Sequence, residues 1–212
     1  DLLFMATLDA RLLAIDLETG EVRWNVEMHD YKIGYSATSA PLIVGDLVVT
    51  GIAGGEYAAR GFVDAYDTST GNLEWRKYTV PVAGEPGVET WEGDSWKTGG
   101  GPTWSTGTYD PQTNLIYWPV GNPSPDWNGD ARLGDNLYTN SVLALHPETG
   151  ELEWYFQFTP HDVWDYDATN GIVVADVEFE GKTVRALMQA NRNGYVYTLD
   201  ATSGKFLHAF QY

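Results

Sequence analysis

Three short segments of this 212-residue chain concentrate side chains able to do chemistry. The first, Gly51-Ile52-Ala53-Gly54-Gly55-Glu56, sets one carboxylate behind small residues that let the backbone approach a ligand closely. The second, Gly99-Gly100-Gly101-Pro102-Thr103-Trp104, is followed eighteen residues after the tryptophan by Asn122, in Gly121-Asn122-Pro123. The third runs Thr159-Pro160-His161-Asp162-Val163-Trp164-Asp165-Tyr166-Asp167. Glu56, Asn122, Asp165 and Asp167 offer the hard oxygen donors that bind calcium-like cations. In an extended segment Asp165 and Asp167 would point to the same face. On residue types alone, a cation site and an ordinary acidic surface loop both stay open. His161 reads as a structural hydrogen-bonder of its loop rather than a ligand.

The elements that must position these segments announce themselves as a repeat. Ala14-Ile15-Asp16-Leu17-Glu18-Thr19-Gly20 leads to Trp24, and Ala65-Tyr66-Asp67-Thr68-Ser69-Thr70-Gly71 leads to Trp75. Thr108 to Asn114 leads to Trp118, Ala144 to Gly150 leads to Trp154, and Thr198 to Gly204 carries Phe206 and Phe210 but no tryptophan. From Asp16 through Asp67, Asp110, His146 and Asp200 the spacings are 51, 43, 36 and 54 residues. Each copy reads as a hairpin: an alternating strand, an aspartate to bond the turn backbone, a Gly or Asn for the positive φ, and an alternating return. Leu42-Ile43-Val44 with Leu47-Val48-Val49, and Ile172-Val173-Val174 with Val184 to Leu187, read alike. Asn193-Gly194 adds a further hairpin signal, and no stretch holds a helical period. Such a period predicts propeller blades or a related all-β array, with the tryptophans packing blade to blade. Pro81–Pro102 and Gly121–Asn140 are long for blade connections, and long loops on a rigid scaffold tend to carry function.

Composition narrows the function further. Thirty acidic against 12 basic side chains give a net charge of −18, which excludes a nucleic-acid partner and an anionic membrane face. No apolar run approaches the length of a membrane span. The absence of cysteine excludes a disulfide framework, Cys-x-x-Cys metal ligation, covalent haem and a thiol nucleophile. Asp1 and Tyr212, the latter straight after a strand-like run, make both ends read as cut.

With repeat and irregular segments both in view, the chain resembles the pyrroloquinoline-quinone (PQQ) dependent alcohol dehydrogenases, the quinoprotein group of methanol and ethanol dehydrogenases. The resemblance extends from Thr7-Leu8-Asp9-Ala10 to the end. It implies an all-β fragment of an eight-bladed β-propeller, about four to five blades with tryptophan-docking motifs. Residues 1–212 would then be a partial propeller domain with blades missing at both the N- and C-terminal sides. It also implies a PQQ and metal site. Glu56 matches the family's carboxylate metal ligand and Asn122 its amide ligand. Trp104 matches the floor under the planar quinone, and Thr38 a threonine contacting a PQQ carboxylate. Ala53, Gly54 and Gly55 match the backbone stretch beside the cofactor; members often have serine at Ala53, so a side-chain hydrogen bond is expected to be absent. Asp165 matches the catalytic aspartate and metal ligand, and Arg192 the arginine facing the quinone oxygens.

Asp167 sharpens the metal. Calcium-type methanol dehydrogenases usually carry a small uncharged residue at this place, and lanthanide-type members carry aspartate. A trivalent ion wants more anionic oxygen donors, so the resemblance favours a lanthanide, with Ca2+ as the alternative. The implied reaction oxidises a small primary alcohol, with Asp165 as general base and hydride passing to PQQ. Electrons would leave to a c-type cytochrome in the periplasm, and the resemblance allows a homodimer at full length. The family's vicinal disulfide and a further cofactor-binding arginine would precede Asp1. A quinoprotein for another polyol or sugar, and a non-catalytic propeller scaffold, are the competing readings.

Overall fold

Every regular strand of this chain lies in one of four antiparallel sheets, as a computed structural model of residues 1–212 describes it. The first has three strands, β1 (Leu2–Thr7), β2 (Arg11–Asp16) and β3 (Val22–Glu27). The second has four, β4 (Leu42–Val44), β5 (Leu47–Gly51), β6 (Phe62–Asp67) and β7 (Leu73–Tyr78). The third holds β8 (Thr108–Asp110), β9 (Leu115–Pro119), β10 (Ser141–Leu145) and β11 (Leu152–Gln157). The fourth holds β12 (Val173–Phe179), β13 (Lys182–Asn191), β14 (Tyr195–Asp200) and β15 (Phe206–Gln211). Strands follow one another in space in chain order, as propeller blades require.

The last hairpin of each sheet shows why the repeat looks as it does. Asp67 Oδ1 accepts from the amides of Ser69 and Thr70 at 3.1 and 2.7 Å, and Asp16 and Asp200 close their turns the same way. Just before that turn all four sheets shift register, between Ala14/Ile15, Ala65/Tyr66, Ala144/Leu145 and Thr198/Leu199. Opposite Ala14, Ala65 and Ala144 stand Trp24, Trp75 and Trp154. Each indole lies over the turn glycine of the next sheet and donates its N–H there. Trp24 bonds Thr68 O at 3.0 Å, Trp75 bonds Pro147 O at 2.7 Å and Trp154 bonds Ala201 O at 3.1 Å. A Cβ on Gly71 would sit 2.8 Å from Trp24, so the turn glycine serves both its φ of +74° and the dock.

The third copy of the sequence repeat behaves differently. Asp110 to Trp118 is the β8–β9 hairpin, and it shares a sheet with the docking hairpin of Trp154. Trp118 is fully buried and donates to Thr103 O within its own surroundings. A hairpin signal marks a turn and not a blade, which is why five copies resolve into four sheets. In the fifth copy His208 stands opposite Thr198, the place of the docking tryptophan elsewhere.

Three hydrophobic cores fill the three junctions between successive sheets. One joins Leu12 and Met28 to Val48 and Phe62, the next Val63 and Trp75 to Trp118 and Leu143, the last Tyr117 and Trp154 to Leu187 and Leu199. No buried cluster joins the fourth sheet to the first, so the sheets form an arc. The two long loops are folded inward rather than solvated. Trp91 is buried and donates to Leu137 O at 2.6 Å, and Gly121 N donates to Pro102 O at 2.7 Å. Because the blades are up-and-down, the sheet-to-sheet connections and the links between each sheet's middle strands emerge at one end. The docking turns emerge at the other. All three chemical segments, with Thr38 and Arg192, lie on the former end.

Candidate active site

The Glu56 segment is built by close backbone approach. Ala53 exchanges two backbone hydrogen bonds with Ser36, at 2.7 and 3.3 Å, and the chain then turns at Gly54 with φ +122°. A side chain on Gly54 would strike Gly34 O. Gly55–Tyr57 forms a single 3-10 turn that presents the Glu56 carboxylate. Gly55 itself is buried against the Pro102 ring and does not line the pocket beside it.

Asp165 and Asp167 reach that pocket by a different geometry from the extended one. Both have left-handed backbone, φ +62° and +50°, a shape Asp tolerates better than most residues. The turn is held from below by Asp162, whose buried carboxylate accepts from the amides of Trp164 and Tyr166 at 2.9 Å each and from Asn140 Nδ2 at 2.8 Å. Asn140 Oδ1 in turn accepts from Ala168 N at 2.9 Å. The two aspartates therefore converge because a loop is curled, and not because a strand alternates.

Asn122 ties the second segment to the third. Its Nδ2 donates to Asp165 Oδ1, and its Oδ1 accepts from Asp167 N at 2.8 Å. It stands behind the wall that Asp165 and Asp167 form. Trp104 Nε1 donates to Asp167 Oδ2 at 2.8 Å, and Arg192 lies 3.8 Å from the same oxygen. Thr38 Oγ1 donates to Trp104 O at 3.1 Å. His161 Nδ1 pairs with Gly134 O at 2.8 Å and takes the structural part expected of it.

The result is one pocket of about 420 Å³ lined by Thr38, Ala53, Gly54, Glu56, Trp104, Asp165, Asp167 and Arg192. Its volume falls in the range of small-molecule sites. Asp167 is its one buried acid. Burial pushes its carboxyl up to about 6, with Asp165 adding to the rise and Arg192 and Trp104 opposing it. Its Oδ1 is buried with no hydrogen-bond partner and lies where a Cβ on Gly121 would be. A buried carboxylate oxygen with a free lone pair, beside hard oxygen donors, fits a cation. No three His, Asp or Glu side chains stand so grouped that they could hold a metal ion by themselves. Further oxygen donors would have to complete the sphere, and the Asn122 amide oxygen, which accepts from Asp167 N, does not line the pocket as the structure stands.

Two neighbours of the site carry no motif. Asp126 is pushed up to about 6 by burial, then by the charges of Asp165 and Glu56, with Arg132 opposing. Arg132 is fully buried beneath the same loop. The length of Gly121–Asn140 flagged the loop, but nothing in its composition singled out these two residues.

An arc of propeller blades with a pocket lined by a tryptophan, an arginine and three acids at its loop end defines the class. The family model described as "Glucose/ethanol/alcohol dehydrogenase, beta-propeller domain" of the PQQ group matches residues 1–211, and the chain belongs to that family. It is 43% identical over 228 residues to the quinoprotein alcohol dehydrogenase PedH of Pseudomonas putida, covering 100% of this chain and 38% of that protein. To the lanthanide-dependent methanol dehydrogenase of Methylacidiphilum fumariolicum it is 38% identical, covering 98% and 37%. The solved structure of a europium-containing methanol dehydrogenase superposes with a TM-score of 0.94 at 38% identity, covering 99% of this chain and 39% of that one. BamB from Moraxella catarrhalis, at 20% identity and a TM-score of 0.62, shares the fold alone. The chain spans about a third of the length of the curated relatives it matches.

Proposed function

We propose that residues 1–212 are part of a longer propeller domain that oxidises a small primary alcohol with bound PQQ and a lanthanide ion. The observation that carries this reading is the convergence of Glu56, Trp104, Asp165, Asp167 and Arg192 on one pocket. When bound, PQQ supplies the two-electron acceptor for a hydride and the cation supplies Lewis acidity. Trp104 offers an indole face on which a planar ring stacks. Asp165 takes the proton of the alcohol hydroxyl. Arg192 sets a guanidinium in the pocket wall, a donor for negative charge that develops there during turnover. Glu56, Asp165 and Asp167 would hold the cation from the pocket wall, and the Asn122 amide oxygen would join them by turning from Asp167 N. PQQ carries carboxylates of its own, and three acids already line the pocket, so a polyvalent cation is needed for the two to coexist.

Asp167 supports a lanthanide over Ca2+, since a trivalent ion gains more from a further anionic oxygen. The lanthanide-dependent relatives support the same choice. A relative named methanol dehydrogenase [cytochrome c] supports a cytochrome as electron acceptor, and with it a periplasmic location for this protein.

The test is reconstitution of the full natural chain with PQQ and either lanthanum or calcium, assayed with a panel of alcohols and aldose sugars. Asp165→Asn is expected to lower turnover by at least about 1,000-fold with the PQQ absorbance retained; undiminished turnover would refute the assignment. Asp167→Ala is expected to abolish activation by lanthanum. Calcium outperforming lanthanum in the unaltered protein would overturn the metal, and oxidation of sugars alone the substrate class. Failure to bind PQQ would leave only a scaffold.

A further inference from the structure

Two loops meet at the pocket: 120–140, which carries Asn122, and 158–172, which carries Asp165 and Asp167. Beneath them, away from the pocket, the fully buried Arg132 guanidinium spans both. Its Nε donates to Pro125 O at 2.9 Å, and one terminal nitrogen donates to Asp126 O at 2.9 Å and to Asp162 O at 2.5 Å. The other terminal nitrogen donates to Asn136 Oδ1 at 2.8 Å. All four bonds end on neutral oxygens. Burying this cation without a direct ion pair is costly, and the four bonds together with the nearby charges of Asp162 and Asp126 offset that cost. The loops interlock elsewhere as well, since Gly129 packs directly against His161 and Val163, and His161 N donates to Asp135 O at 3.2 Å.

We propose that Arg132 is a positioning residue for the cation site: its planar fork fixes the Pro125–Asp126 turn to Asp162, and Asp162 fixes the curl that presents Asp165 and Asp167. The proposal rests on the reading of those two aspartates given above. The chain of contact is continuous. Arg132 holds the Asp162 backbone, the Asp162 carboxylate holds the amides of Trp164 and Tyr166, and Asn122 joins the two loops at the pocket side. Only a guanidinium reaches three carbonyls in one plane; lysine brings the charge but not the fork.

The test uses the full natural chain reconstituted with PQQ, and compares Arg132→Lys with Arg76→Lys. Arg76 forms a bidentate pair with the buried Asp64 in the second sheet, outside the pocket, and serves as the control for loss of a half-buried arginine. Europium luminescence reports affinity for that ion and, from its lifetimes in H2O and D2O, the number of waters on the bound ion. Arg132→Lys is expected to weaken europium binding by about 10- to 100-fold, as loss of outer-sphere support does elsewhere. It should also add at least one water and lower kcat with KM little changed. Arg76→Lys should lower the melting temperature and move none of these. Equal europium affinity and water count in the two variants would overturn the proposal. Should Arg132→Lys fail to fold, Asp162→Asn is read in the same way, with the same expectation. Asp165→Asn in the same assay separates the two ideas. If it retains turnover, the catalytic reading fails while the water count still judges Arg132. If it is inactive and Arg132→Lys leaves the ion's hydration unmoved, only the positioning role fails.

Discussion

At the scale of single residues, the chemistry turns on how Asp167 is buried. Burial raises its carboxyl to about 6, so at pH 5 it is mostly protonated and a cation must displace that proton. Cation affinity should therefore climb as pH rises from 5 through 6, by up to about tenfold per pH unit for each proton released, and level off above about 7. Calorimetric titrations with europium in buffers of different ionisation enthalpy measure both affinity and proton release; a flat profile between pH 5 and 7 contradicts the burial argument. The sign for stability is opposite. A carboxyl whose folded pKa lies above its unfolded value stabilises the cation-free fold only while protonated, and that contribution is lost as pH rises through about 6. Bound cation removes the penalty. The Asp165–Asp167 spacing was visible in the sequence, but its conformation was not. Asp162, which supports the two left-handed residues, is close in sequence, but it is held in turn by Asn140, 22 residues before it.

At the scale of elements, the docking tryptophans are the joints between sheets, and their partners are glycines. Gly150 has φ +68°, and a Cβ there would overlap the Trp75 indole. Gly150→Ala adds about 1–2 kcal/mol of left-handed strain to the displacement of a buried tryptophan, whose complete loss costs about 3–5 kcal/mol. A drop in melting temperature on the order of 10 °C is expected by thermal denaturation, from about 2–4 °C per kcal/mol for a unit of this size. A change under about 2 °C would show that Trp75 is not a joint. This element was legible because an Asp-x-x-Thr-Gly turn, with a tryptophan four residues on, is a local pattern. The misfit of the Asp110 hairpin has the same source: local chemistry specifies a turn, while membership of a sheet depends on partners distant in sequence.

At the scale of the whole molecule, the first and last sheets differ from the inner two. Gly20 occupies the acceptor place of Gly71, Gly150 and Gly204, with φ +73°, yet nothing lies within 4 Å of its would-be Cβ. If residues 1–212 belong to a longer propeller, a side chain from a further blade docks there. Gly20→Ala in the full natural chain should then destabilise about as much as Gly150→Ala. In isolated residues 1–212 the same change should cost only the left-handed strain of about 1–2 kcal/mol. Equal, small effects in both contexts would remove the extra blade.

The sequence by itself determined the hairpins, the tryptophans that join them and the residue types of the site. Each depends on neighbours a few positions away: an aspartate and its turn amides, a glycine and its φ. Only the tertiary structure decided that Asp110 and His146 share a blade and that Asp165 and Asp167 converge by curling. It also decided that Asp126 faces the acids and that Arg132 spans the two loops. Those outcomes come from long-range packing, in which a buried group takes whatever partner the assembled sheets bring to it, and no local pattern encodes that partner.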